Sequence, residues 1–173
     1  MLSSHISIDR PIEEKIHWAK RYCETQKEVL LGDSTLYHLL TDLKDAIHSS
    51  HFQITQAGID VVCRECDEKD GGSCCGAGLE NKYSGVLLLM NLLLGQTIPE
   101  QRLDSKSCFF LREKGCSLLA RHVICVNYLC GKITHRIPPK AIAMLREKEG
   151  MELEALFIVH ERIKAMLRAN DAS

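Results

Sequence analysis

The chain has 173 residues, 45% hydrophobic and 26% charged, with a formal net charge of −1. That length and balance suit one globular domain with its own core, and the near-zero charge argues against a chain that coats nucleic acid or an anionic membrane surface. Four Tyr, four Phe and one Trp are too few aromatics for a base-stacking platform, so no nucleic-acid partner is expected.

Asp9 and Pro11 open a first helix, with Glu13 and Glu14 in the first turn, where the helix dipole favours acids. Ile12, Ile16, Ala19, Cys23 and Leu30 fall on one helical stripe, and Gly32 ends it. Asp33 or Ser34 can cap a second helix with the stripe Leu36, Leu39, Leu40, Leu43 and Ile47. The short link predicts an antiparallel pair. From Ser49 to Gly78 the periodicity fades, and Gly58, Gly71, Gly72, Gly76 and Gly78 predict a loop-rich stretch.

Asn81–Gly95 predicts a helix that is apolar nearly all round, and so central to the bundle. Cys108–Leu111, Lys114-Gly115 and Cys116–Leu119 predict a small β-hairpin. Ile137-Pro138-Pro139 breaks the chain and starts a helix to about Glu149, with Gly150 as a kink or stop. A last helix, Met151 to Ala169, carries Leu153, Leu156, Val159, Ile163, Met166 and Leu167. The expected fold is mainly α: helical flanks over 10–50 and 138–170 around a cysteine-rich metal-binding knuckle over 59–131, all in one domain.

Eight of the nine cysteines lie in that knuckle: Cys63, Cys66, Cys74, Cys75, Cys108, Cys116, Cys125 and Cys130. The first residues, MLSSHISIDRPIEEK, show no basic stretch followed by an apolar run. The longest apolar run, Val86–Leu94, is broken by Asn91 and falls far short of the ~20 residues of a membrane span. A cytoplasmic protein with no membrane contact is therefore expected. In a reducing compartment clustered thiols serve as metal ligands rather than disulfides. Isolated thiols pack well as small hydrophobes, but an array of eight does not fit that role. Cys23, on the apolar stripe of the first helix, reads as a core thiol and not a ligand.

Cys63 and Cys66 form a C-x2-C pair whose tight turn lets both sulfurs reach one ion. Neighbouring side chains diverge, so Cys74 and Cys75 serve two different metals or two corners of one cluster. Gly76 and Gly78 let backbone N–H groups approach sulfur, a contact that tunes a cluster's potential. Eight thiolates suit two zinc ions, or one four-cysteine iron–sulfur cluster with cysteines to spare. Only one C-x2-C knuckle is present and the other gaps are irregular, which tilts the preference slightly to iron–sulfur.

The segments C63-R-E-C66, C74-C75, C108-F-F-L, G115-C116-S and R121-H-V-I-C125 through C130 resemble the YkgJ family of cysteine-cluster proteins, a zinc- or iron-chelating domain. Leu119 stands near a usual tyrosine, His122 replaces a proline after the arginine, and the Cys116 to Cys125 interval is one residue short. The resemblance implies a metal-bound domain without one general activity. Some relatives, flagellin lysine methylases among them, look like iron–sulfur enzymes.

Asp60, Glu65, Asp67, Glu68 and Asp70 outnumber Arg64 and Lys69 beside the first cysteines. Arg112, Lys114, Arg121, Lys132, Arg136 and Lys140 crowd the last ones. Cations there neutralise thiolates, or, on a sharper reading, form a mouth for a carboxylate or phosphate. His122 and His135 read as polar loop residues ahead of ligands or proton carriers. No phosphate-binding glycine loop, zinc-protease motif or nucleophile elbow occurs. The leading expectation is a metal-binding protein for redox chemistry or metal handling, its protein or small-molecule partner unspecified. An enzyme with a pocket near Arg121, His122 and Arg136 is the second, and a zinc-stapled interaction module the third.

Overall fold

The computed structural model describes residues 6–69 and 74–171, so Asp70, Gly71 and Gly72 of the expected loop lie outside the described residues. Helix α1 spans Ile12–Gly32 and α2 spans Ser34–Gln56, with Asp33 between them. The Asp33 side chain caps α2 by accepting from the Leu36 N–H at 2.7 Å. It also takes Arg162 of α7 (Pro139–Asp171) at 2.5 Å, which fixes the start of α2 to the far end of α7. At the other end of the pair Ser50 bonds Glu152, so α2 and α7 run antiparallel.

Helix α4 (Gly85–Leu93) sits on α1, and Leu88, Leu89, Met90 and Asn91 are fully buried. The expected central helix is thus present but shorter. Leu79–Lys82 forms a separate 3-10 turn, and Ser84 caps α4 through the Leu87 N–H. The buried Lys15 holds this junction, its ammonium bonding the carbonyls of Asn81 (2.9 Å) and Tyr83 (3.0 Å). Those acceptors satisfy a charge that would otherwise be costly to bury.

Two sequence expectations are corrected. The stretch after Ser49 is not loop-rich: α2 continues to Gln56, Gly58 turns the chain at φ +73°, and α3 covers Ile59–Lys69. Few residues of α3 are apolar, yet Ile59 and Val62 bury against Ile133, Ile137 and Leu145, and that packing supplies what periodicity did not. Gly150 neither stops nor kinks α7. It is exposed within one continuous helix, where a glycine costs only about 1 kcal/mol.

The hairpin exists but is short: β1 (Leu111–Arg112) pairs antiparallel with β2 (Gly115–Cys116), in the register Leu111 to Cys116. Gly115 turns it at φ +105°. Two small helices follow, α5 (Val123–Asn127) and α6 (Gly131–Arg136). The buried apolar residues form a main core from α1, α2, α4, the hairpin region and α7, and a smaller core from α3, α6 and the start of α7. Among the described residues no helix is long and apolar enough to cross a membrane.

Candidate metal centre

None of the nine cysteines is in a disulfide. Cys23 is buried in the main core on α1, away from the others in sequence and role. The other eight come from α3, the segment before the 3-10 turn, the approach to the hairpin and its second strand, α5 and the start of α6; Cys75, Cys108 and Cys125 pack with the main core and Cys130 with the smaller one.

Cys63 and Cys66 sit on α3, three residues apart and so on one face. Lys132 of α6 donates to Cys66 Sγ at 3.4 Å, and Arg136 of α6 pairs with Glu65 of α3 at 2.7 Å. Cys130 stands at the N-terminal boundary of α6, its side chain making no capping bond, and packs against the smaller core. Burial, then the charges of Cys130, Cys66 and Cys75, push the Cys63 thiol up. A hydrogen bond joins Cys74 to Cys75, and with burial and the charges of Cys75, Cys63 and Cys130 it drives the Cys74 thiol far up. The side chains of this adjacent pair therefore meet rather than diverge.

A second gathering is built on the main core. The Cys108 N–H donates to the Cys75 carbonyl at 2.7 Å, and Gly76 bridges to Ser107. Cys108 is buried, and Cys75 and Cys125 pack against the same core. Burial raises the Cys108 thiol, with Glu80, Cys75 and Cys125 adding to it against a bond from the Phe110 N–H. Cys116 is exposed, yet desolvation by the surrounding atoms raises its thiol to about 11, helped by Cys108 and Cys125 and opposed by the Leu118 N–H and Arg121. Burial also raises Cys125, while a bond from Tyr83 and the charge of Arg121 work the other way.

Three residues the sequence reading did not single out hold this part together. Asn91 interrupts the apolar run because its amide stitches α4 to the approach of α5. It accepts from the N–H groups of Leu119 (2.9 Å) and Ala120 (3.0 Å) and donates to the Leu87 and Ala120 carbonyls. Glu80, 2% exposed, accepts from Gly78 and Phe109 N–H groups and pairs with Arg102, and so ties the loop after Cys75 to the residue after Cys108. Tyr83 donates to Cys125 Sγ at 3.7 Å and accepts from the His122 N–H at 3.1 Å. Only Asn91 left a trace in sequence, as the one polar residue of an apolar run.

His122 caps α5, its Nδ1 accepting from the Ile124 N–H at 3.2 Å. Burial and Lys82 hold its pKa below the usual histidine range. It therefore serves the backbone. The charge of Arg121 acts on the thiols Cys116 and Cys125 and also on Glu149, Glu152 and His51 of α7 and α2. Beside Cys66 a cleft of about 590 Å³ is lined by Val62, Glu65, Lys69, Lys132, His135 and Arg136, among others. The expected pocket residue Arg136 is there. Arg121 and His122 do not line it.

The expected knuckle is not closed: among the described residues no group of three or more His, Cys, Asp or Glu side chains stands ready to hold a metal ion. Thiol sites take shape as ligands lose protons to the incoming ion, so fit is judged on the donor set. Eight thiols outside any disulfide are present, several acting on one another's charge, with Lys132 bonded to Cys66 and the charge of Arg121 felt at Cys116 and Cys125. That chemistry suits a thiophilic ion or cluster. No family model matches the chain, and no curated protein or solved structure does.

Proposed function

We propose that Cys63, Cys66, Cys74, Cys75, Cys108, Cys116, Cys125 and Cys130 form a metal-binding cluster, holding iron–sulfur or zinc, in a protein of the YkgJ type. The observation that carries this reading is the set of eight thiols outside any disulfide, five of them held above the ordinary thiol range by desolvation and by neighbouring thiols. Like charges brought together are unfavourable unless a cation offsets them, and a metal bound by thiolates supplies that offset. When bound, zinc would staple these segments, and an iron–sulfur cluster would add electron transfer.

The chain's own residues do the rest. Lys132 and Arg121 offset negative charge at the sulfurs, Tyr83 orients Cys125, and Asn91 and Glu80 fix the loops that carry the ligands. A second reading, an enzyme working beside the metal, is favoured by the cleft at Cys66 with its Lys69, Lys132 and Arg136 cations. A recess with a few convergent cations on otherwise apolar walls suits a small anionic substrate.

The deciding experiment is metal and acid-labile sulfide content on protein purified without oxygen, with its visible spectrum. Brown protein with iron and sulfide assigns the cluster, and colourless protein with zinc assigns the staple. Protein with neither, and with no metal uptake on reconstitution, overturns the proposal.

A further inference from the structure

We propose that α6 and the first turn of α7, with the cleft between α3 and α6, form a docking surface for an acidic segment of a partner protein. This goes beyond the readings above and requires neither bound metal nor catalysis.

From Lys114 to Arg146 the chain has no Asp or Glu, so all 23 acids lie outside that stretch. Its cations are Lys114, Arg121, Lys132, Arg136, Lys140 and Arg146. In a chain of net charge −1 this is a marked separation of sign, and a patch of one sign attracts the opposite charge from solution. Arg146 is committed to Glu149 and the Asn127 carbonyl. Lys132, Arg136 and Lys140 are exposed on α6 and the start of α7. Lys69, exposed at the end of α3, joins Lys132 and Arg136 in lining the cleft. Glu65 is the one acid among the lining residues, and Arg136 neutralises it at 2.7 Å. That bond also orients the guanidinium, whose five N–H donors exceed what one carboxylate oxygen takes.

The extent of the surface favours a protein segment over a small anion. The cations continue past the cleft to Lys140, and exposed apolar residues stand beside them. Val123 and Ile124 are each 44% exposed and Tyr128 is 56% exposed, on and just after α5. The Arg146 bond to the Asn127 carbonyl fixes the end of α5 against the early turns of α7, so these residues adjoin the basic ones. Tyrosine, arginine and apolar side chains with a charged rim are the make-up of protein interfaces. Opposite charge on the partner steers the encounter and sets the register.

Fluorescence anisotropy of fluorescein-labelled poly-L-glutamate, titrated with the full chain, tests this. Binding is expected at low ionic strength and should weaken about tenfold as salt rises to about 0.2 M. Lys69→Glu combined with Lys140→Glu should weaken it by about tenfold. The same charge change on exposed positions of α1 and α2, Lys27→Glu with Lys44→Glu, should weaken it by less than about twofold. No binding at low salt, indifference to salt, or equal loss in the two double variants overturns the proposal. If the Lys69 and Lys140 pair disturbs the helical circular dichroism, Lys140→Glu alone is read: a loss of about threefold supports the surface and no loss overturns it. Displacement of the polymer by inorganic phosphate or free glutamate at equal charge concentration overturns it in favour of a small anion. Tighter binding to oligothymidylate, or to phosphatidylserine vesicles, overturns it in favour of nucleic acid or membrane. Each of these outcomes leaves the metal-binding reading intact, which the iron, sulfide and zinc measurements decide separately.

Discussion

Glu80 illustrates how a single carboxylate holds the loops that carry Cys75 and Cys108. Burial alone would raise its pKa, but the Arg102 guanidinium and the backbone N–H groups of Gly78 and Phe109 outweigh burial and hold it below the ordinary 4.5. A depressed carboxylate contributes stability above its unfolded pKa and loses it as pH falls through the folded value. Acid should therefore loosen the junction between Cys75 and Cys108 as the pH drops below 4.5. Glu80→Gln should cost about 2 kcal/mol at neutral pH, the scale of a charged hydrogen bond, and should flatten that acid limb. Urea denaturation at a series of pH values measures both. Equal acid sensitivity in the two proteins would remove Glu80 from this role.

Glu152 works in the opposite sense. Burial raises its carboxyl pKa, against the Ser50 hydroxyl and Arg121, and its Oε1 has no partner. A raised carboxylate lowers stability as pH climbs from the unfolded value through the folded one. Glu152→Gln should keep the bond to Ser50 and gain stability relative to the parent at pH 8, with the gain disappearing in acid. Thermal melts at both pH values decide it, and a loss at pH 8 would show that the charge itself is needed.

Between elements, two glycines should respond to alanine in opposite directions. Gly85 begins α4 where it meets α1, and a Cβ there would stand 2.7 and 2.9 Å from Trp18 ring carbons and against Ile6. Gly85→Ala should cost about 1–3 kcal/mol by overpacking. Gly150 lies exposed within α7, with nothing within 4 Å of the same position. Gly150→Ala should gain up to about 1 kcal/mol through helix propensity. Differential scanning calorimetry of the two variants measures the pair. A stabilised Gly85→Ala would mean that the α1–α4 contact is looser than described.

Across the whole molecule, the two cores assign different duties. The α2–α7 pair is held by Asp33–Arg162, Ser50–Glu152 and a continuous apolar face, and includes none of the eight clustered cysteines. α3, α5, α6 and the hairpin are short or sparsely apolar, and isolated helices of such length are marginal. On the proposed metal-binding reading, a chelator should thus raise hydrogen exchange in α3, α5, α6 and the hairpin, and leave α2 and the later turns of α7 protected. Uniform exchange throughout would mean that the metal carries the entire fold, and no change would mean that it staples nothing.

The sequence determined the Asp33 cap, the Gly115 turn and the burial of α4, because each follows from chemistry within a few residues. It did not reveal α3 or the continuity of α7 past Gly150, since both depend on surfaces brought from far along the chain. The grouping of the thiols is of the same kind. Cys63 and Cys130 lie at the two ends of the cysteine segment, and only the packing of α3 against α6 brings them together. Spacing along a chain constrains near neighbours, whereas the pairing of distant donors is set by which buried faces meet.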